Sequence, residues 1–332
     1  MSDFPPEYFH GRRYNAYNDW VKYTYGCRLQ KISLDAGFTC PNRDGSRGSH
    51  GCSFCNNRSF TPAYLQGVDD IHAQIETGLT QVQRRYGLKE RYVAYFQTYS
   101  NTYGSVERLR SAYQVALAHP QISGLVIGTR PDCLPDEVLD YLAELSIRTV
   151  VELEIGIESC DDEVLRRCNR GHSFEETVDA VRRAGDRGLF LTGHMLYGLP
   201  GETRETIQTG ARALAHIGLD AIKFHQLQIV KGSQLANTWR DDPDSVPMMD
   251  PDTYLACVTD TVEQLSPYVK IQRLVAECSP SLLLSPQWSI KPVNMNLLLE
   301  DALAERGSWQ GRHFGTPAKA SAPSRAPVAV MF

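Results

Sequence analysis

Apolar and polar positions follow two periods along this chain. Short runs rich in Val, Ile, Phe and Tyr, bounded by Gly or Pro, predict strands over 31–36, 91–97, 124–130, 149–157, 189–197 and 221–230. Between them the period lengthens. Over 69–86, Ile71, Ile75, Leu79 and Val82 recur every three or four positions, as on one face of a helix, with Asp69 at its N-cap. Ser105 precedes a helix over 106–118. Pro135 stands at the start of 136–145, where its missing N–H does no harm. Ser173 and Glu176 spell a capping box before 174–187. Helices over 203–217 and 252–266 complete the series. A cap is worth about 1 kcal/mol, so the agreement of caps with the apolar period carries more weight than any one cap.

Six strand–helix units in alternation predict a parallel sheet with helices outside it. No Gly-rich dinucleotide fingerprint follows the first strand. The expected fold is therefore α/β, a partial parallel (β/α)6 TIM-like barrel with a short C-terminal α/β extension. In such barrels chemistry sits at the C-terminal ends of the strands. The expected organisation is an N-terminal extension over 1–30, a core barrel over 31–266, a C-terminal extension over 267–313 and a disordered tail over 314–332. The extension holds a strand at 269–275, a Pro- and Ser-rich loop and a helix at 293–306. The tail is rich in Ala, Pro and Ser without periodicity.

Composition narrows the class. With 332 residues, 42% hydrophobic and 22% charged, the chain is neither fibrous nor disordered throughout, and it buries a core without disulfide help. No apolar run approaches the roughly 18 residues of a membrane span. Met1-Ser2-Asp3-Phe4-Pro5-Pro6 lacks the basic and apolar stretches of a signal peptide, so a cytoplasmic protein is expected. A net charge of −5 argues against a general nucleic-acid binder. Nine cysteines without an export signal point to metal binding or catalysis. Cys27, Cys133, Cys160, Cys168, Cys257 and Cys278 are scattered and read as small apolar residues.

The other three cysteines cluster after the first strand. Cys52 and Cys55 form a C-x-x-C turn, and Cys40 precedes them in a loop whose Gly45, Gly48 and Gly51 permit sharp turns. Thiolates favour zinc, copper(I) or iron–sulfur clusters. Three of them fall short of the four cysteines of an electron-transfer cluster and would leave one iron open. The alternative is a structural zinc site of Cys40, Cys52, Cys55 and His50 in a non-catalytic, partner-binding module.

The segment Cys40-Pro41-Asn42-Arg43-Asp44-Gly45 through Gly51-Cys52-Ser53-Phe54-Cys55 resembles the long-spaced cluster motif of the radical SAM superfamily, in particular its YhcC/YtqA-like family, related to the catalytic subunit of elongator. The resemblance continues, in order, at Thr129-Arg130-Pro131-Asp132, Glu154-Ile155-Gly156-Ile157-Glu158-Ser159, Asn169-Arg170-Gly171-His172 and Gly198-Leu199-Pro200-Gly201-Glu202-Thr203. It covers about residues 10–313. It implies a [4Fe–4S] cluster on Cys40, Cys52 and Cys55. The open iron would chelate S-adenosylmethionine (SAM), whose reductive cleavage gives a 5′-deoxyadenosyl radical.

Further roles follow from the same resemblance. Phe54 falls where the family sets an aromatic against adenine, and Arg170 where relatives set a cation on the SAM carboxylate. Thr129, Arg130, Glu154 and Glu158 lie on strand ends facing the cofactor; relatives often carry Gln at the position of Glu158. The Gly-Gly-Glu type motif of many members is absent at the end of the second strand, so Gln97 or backbone carbonyls would serve instead. His194, Lys223 and His225 on the last two strands are candidate substrate contacts. The Gly198–Thr203 turn offers a helix N-terminus to an anion. The expected partners are an unidentified substrate and a reducing donor such as flavodoxin or ferredoxin, with no membrane. Kinship with elongator raises a tRNA-modifying enzyme as an alternative. The acidic balance, and too few residues after 313 for an acetyltransferase domain, favour a small molecule or a protein side chain over RNA. A lone second cluster is not expected, because no further C-x-x-C occurs.

Overall fold

The computed structural model describes residues 10–87 and 91–315. The expectations for the Met1–Pro6 segment and for most of the tail lie outside these residues. Seven parallel strands form one curled sheet: β1 (Leu29–Leu34), β2 (Arg91–Phe96), β3 (Ile122–Thr129), β4 (Val150–Glu158), β5 (Phe190–Tyr197), β6 (Ala221–Gln226) and β8 (Lys270–Arg273), neighbours in that order. The fold is the partial parallel barrel expected from the sequence. Helices α1 (Tyr17–Tyr25), α2 (Ile71–Tyr86), α3 (Val106–Leu117), α4 (Asp136–Ser146), α5 (Asp162–Arg167), α6 (Phe174–Asp186), α7 (Arg204–Leu214), α8 (Gln234–Asp241), α9 (Pro251–Gln264) and α10 (Pro292–Glu305) complete the chain, with a small antiparallel pair of β7 (Ile229–Val230) and β9 (Leu283–Ser285).

The pleat decides which side chains meet which layer. Ile32 and Leu34, Ala94 and Phe96, Leu125 and Ile127, and Leu153, Ile155 and Ile157 face outward and pack on Ile75, Leu79, Leu109, Tyr113, Val138, Leu142 and Val181 of the helices. Each is almost fully buried. The alternate positions face inward and are largely polar: Lys31, Glu152, Glu154, Lys223 and Gln272. Helix α1 closes the N-terminal end of this interior. Tyr17, Val21, Phe190 and Ala221 cluster there, with Trp20 stacked on Phe190 at 5.1 Å. The Tyr17 hydroxyl donates to Glu152 Oε2 at 2.7 Å.

Several elements differ from the sequence expectation. The strand expected within an appended unit at 269–275 is β8, the seventh strand of the main sheet, paired to β6 at Ala221–Lys270 and Ile222–Ile271. Helix α10 packs Met295, Leu299 and Leu303 into the same core. The expected strand 221–230 splits into β6, which stays in the main sheet, and β7, which pairs instead with β9. Asp70, not Asp69, caps α2, accepting from Ala73 N at 2.7 Å. Ser105 and the Ser173–Glu176 capping box stand as expected.

Candidate active site

The three clustered cysteines sit on a loop just beyond the C-terminal end of β1, and the loop's own hydrogen bonds shape it. Arg47 N and Gly48 N donate to Pro41 O, Gly45 N to Gly48 O, and Gly51 N to Asn42 O at 2.7 Å. Gly45 and Gly51 take positive φ angles of 94° and 76°, where a side chain would strain the backbone. Cys55 N donates to Cys52 O, Ser53 N to Cys168 O, and Leu235 N to Ser53 O, so the C-x-x-C turn is tied to α5 and α8. Cys40 and Cys52 are buried and Cys55 half-buried. Burial pushes the Cys55 thiol up to about 12, and Cys52 and Cys40 add to the shift against Arg170. A thiol whose ionisation is opposed in this way is one that a bound cation would hold deprotonated.

Charged and polar groups from the ends of β3 and β4 and from the segment after α5 converge on this loop. Arg170, buried, donates to Cys52 Sγ at 3.4 Å and to Gly156 O at 2.7 Å, and pairs with Glu158 Oε1 at 3.3 Å. Asn42, fully buried, turns its amide to Cys52 Sγ at 3.6 Å and to Asn169 O. Asn169 returns a bond to Gly51 O at 2.8 Å. Arg130 grips Asp132 through two bonds of 2.8 and 3.0 Å, and Arg47 of the cysteine loop reaches the same carboxylate at 3.3 Å. Glu158 and Asn169 hold positive φ angles of 70° and 52°, uncommon outside glycine and concentrated at functional sites. The buried atoms Asn42 Oδ1, Arg130 Nη1, Arg170 Nε and His172 Nε2 have no partner in the structure.

Phe54 packs on a satellite cluster of Val164, Cys168, Leu199, Leu227 and Leu235 beside the loop. Gln97, half-buried at the end of β2, accepts from Ser33 Oγ at 3.2 Å. Thr129 shares a 2.5 Å hydroxyl contact with Thr102. His50 is exposed.

Glu154 lies two inward positions below Glu158 on β4 and is brought together with two substrate candidates rather than with the cysteines. Lys223 and Lys31 both donate to its Oε1, the latter at 2.5 Å, and His194 Nε2 meets its Oε2 at 3.1 Å. Burial opposes ionisation of Glu154, but Lys223, Lys31 and His194 outweigh it and hold the carboxyl well below its ordinary range. Both ammonium groups also lie over the Tyr95 ring, at 4.9 and 5.2 Å. The His225 ring is 5.4 Å from that of His194, and its buried Nε2 is unpartnered. Burial, then His194, hold His225 well below its usual range, so it is neutral at pH 7. Below this layer, Glu152 accepts from Tyr17, Thr192 at 2.6 Å and Gln272 at 3.0 Å.

Sequence reasoning did not single out Lys31, Asn42, Tyr95 or Glu152. A signal existed for Glu152: Glu152, Glu154 and Glu158 share one parity on a strand whose other parity is Val151, Leu153, Ile155 and Ile157.

The radical SAM superfamily profile matches residues 44–214, and that of the Radical_SAM C-terminal domain matches residues 219–304. The chain belongs to the radical SAM superfamily. It is 38% identical to protein YhcC of Escherichia coli over 295 residues, 88% of this chain and 93% of that one. A tRNA uridine(34) acetyltransferase of Methanocaldococcus infernus is 29% identical over 119 residues, 35% of this chain and 22% of its own length. Among solved structures, Methanocaldococcus infernus Elp3 lacking residues 1–46 superposes with a TM-score of 0.62 at 15% identity, over 85% of this chain and 64% of that one. That likeness speaks for the fold. As a radical SAM protein the chain is an enzyme, and an iron–sulfur cluster and SAM belong to that chemistry. Among the described residues no helix is long and apolar enough to cross a membrane.

Proposed function

We propose that Cys40, Cys52 and Cys55 hold a [4Fe–4S] cluster and that SAM binds beside it, at the C-terminal mouth of the barrel. The observation that carries this reading is the convergence of three buried or half-buried thiols with the Arg170 guanidinium, itself fixed by Gly156 O and Glu158. The donor set fits a cluster better than one ion. A tetrahedral zinc with bonds of about 2.3 Å to sulfur keeps its sulfurs about 3.8 Å apart. Among the described residues, no three of the donors of Cys40, His50, Cys52 and Cys55 come within 4.8 Å of one another. When bound, the reduced cluster supplies one electron for cleavage of the SAM sulfonium to a 5′-deoxyadenosyl radical.

The chain's own residues bind, orient and exclude water. Arg170 and Arg130 offer cationic nitrogens without partners to an anionic group. Phe54 offers an aromatic face, and Gln97, Thr129 and Glu158 offer hydrogen bonds at neighbouring strand ends. The Glu154 layer closes the interior beneath, so Glu154 acts by fixing Lys223 and His194 rather than by touching cofactor. His194, Lys223 and His225 face a small molecule or a protein side chain, and a diffusible donor such as flavodoxin or ferredoxin brings the electron.

A tRNA substrate is the second reading, favoured by the partial match to the tRNA uridine(34) acetyltransferase. It requires RNA binding that weakens steeply as salt rises, which a filter-binding titration measures. The principal reading is tested by incubating anaerobic, iron- and sulfide-reconstituted protein with dithionite and SAM. 5′-Deoxyadenosine forms with the parent chain and not with Cys52→Ala; equal formation by both contradicts the assignment.

A further inference from the structure

The outer layer of α2 and α3 carries a second constellation, remote from the cysteine loop in chemistry and role. His72 and Glu76 stand four residues apart on α2, hence on one helical face. His119 follows α3 and precedes β3. One donor atom from each of the three lies within 4.8 Å of the others. His119 Nε2 is 2.9 Å from Glu76 Oε1, and the His72 and His119 rings are 5.2 Å apart. His119 is 4% exposed, and its backbone is pinned on both sides: its N–H donates to Ala116 O and its C=O accepts from Ile122 N. His72 and Glu76 are exposed. The arrangement is one fixed ligand at the floor, two adjustable ligands above it and an opening to solvent.

We propose that His72, Glu76 and His119 form a binding site for a divalent transition-metal ion, zinc by ligand type, with water completing its shell. Two imidazoles and a carboxylate are a zinc donor set, and they leave an open position. Imidazole ligands select against magnesium and calcium. Four-coordinate zinc with bonds of about 2.0–2.1 Å sets its ligand atoms about 3.3 Å apart. Rotamer changes of the two exposed side chains close the remaining gap. One contact opposes binding. Gln121 N–H donates to His119 Nδ1 at 3.3 Å, so the free ring carries its proton on Nε2 and gives it to Glu76. Zinc on Nε2 moves that proton to Nδ1 and forfeits two hydrogen bonds, the long one from Gln121 N–H and the one to Glu76, a smaller loss than the three metal bonds gained. The same first turns of α2 carry Gln74, whose amide brackets Asp35 with bonds of 2.8 and 2.9 Å on the path from β1 to Cys40. Zinc on His72 and Glu76 therefore stiffens the helix that holds the entry to the cysteine loop.

Equilibrium dialysis of the full chain against zinc chloride tests the site, with the parent, His72→Ala and Glu76→Gln compared. His72 is exposed, so its replacement spares the core, and any zinc taken by cysteines is common to all three proteins. The expected result is one zinc fewer per chain in His72→Ala, at least tenfold weaker binding in Glu76→Gln, and a zinc-dependent rise in Tm that is larger in the parent than in either variant. Equal zinc content and an equal Tm response in the parent and His72→Ala overturn the proposal.

Discussion

Arg170 donates one guanidinium nitrogen to Cys52 Sγ at 3.4 Å and another to Gly156 O at 2.7 Å. One side chain thus joins the cysteine loop to the end of β4. Burial works against its charge, but Cys52 and Glu158 outweigh it and hold its pKa above the ordinary guanidinium value, so it stays charged at any working pH.

Replacing Arg170 by Ala leaves Glu158 without its cation and Cys52 with the Asn42 amide as its remaining donor. Breaking a buried pair from one side costs about 3–5 kcal/mol; Glu158 keeps some solvent access, so the loss falls at the low end of that range. Urea denaturation measures it. SAM affinity, measured by equilibrium dialysis on cluster-loaded protein, falls tenfold or more. Arg170→Lys keeps the charge but not the planar fork and recovers only part of the affinity.

Gly156 has no room for a side chain. A Cβ there would stand 2.5 Å from Arg170 Nη2 and 2.7 Å from Glu158 Oε1. Gly156→Ala pushes both groups aside while leaving the outward core untouched. The expected outcome is a loss of 5′-deoxyadenosine formation of tenfold or more, with Tm lowered by only a few degrees. Unchanged activity in a folded Gly156→Ala protein removes Arg170 from the account.

Glu154 carries two lysines and a histidine in the barrel interior. Glu154→Gln strands the Lys223 ammonium, while Lys31 keeps Glu152 at 3.9 Å, at a cost of about 3–5 kcal/mol. Adding Lys223→Met relieves part of it, because the two positions share one network. A double-mutant cycle by urea denaturation reads the coupling; strictly additive losses contradict the network.

Glu202 predicts a pH signature. Burial raises its pKa from 4.5 to about 7, although Gly198 N, Leu199 N and Ser159 Oγ all donate to it. An acid with a raised folded pKa binds its proton more tightly in the folded chain. Its contribution is full below about pH 4.5 and is lost as pH rises through about 7, with a slope of about 1 kcal/mol per unit. Glu202→Gln keeps an acceptor for the two N–H groups and a donor for Ser159, and removes the titration. The stability difference between parent and variant, followed by denaturant melts across that window, falls in the parent's disfavour as pH rises. A flat difference contradicts the assignment.

The outward half of the fold was legible because strand and helix periods are strong where side chains pack. Leu153, Ile155 and Ile157 announce β4, and Ser173 with Glu176 announces α6. The β8 strand was legible as a strand but not as part of the barrel, since pairing to β6 across α9 is a long-range choice that local pattern does not encode. Helix α1 carries too few regularly spaced apolar residues to declare itself; it folds because Tyr17, Trp20 and Val21 close the barrel floor. At the site, the cysteine spacing and Arg170 were legible from motif. Glu154 stood in the motif too, yet its neighbours Lys31 and Lys223 come from distant strands, so its deeper place could be read only in three dimensions.

The central claim is a cluster on Cys40, Cys52 and Cys55 that takes SAM. Electron paramagnetic resonance of the anaerobically reconstituted, dithionite-reduced chain, recorded with and without SAM, tests it most directly. The account predicts a reduced [4Fe–4S] signal whose g-values shift when SAM is added and which vanishes in Cys52→Ala. A chain that carries only zinc, or a cluster signal indifferent to SAM, contradicts it.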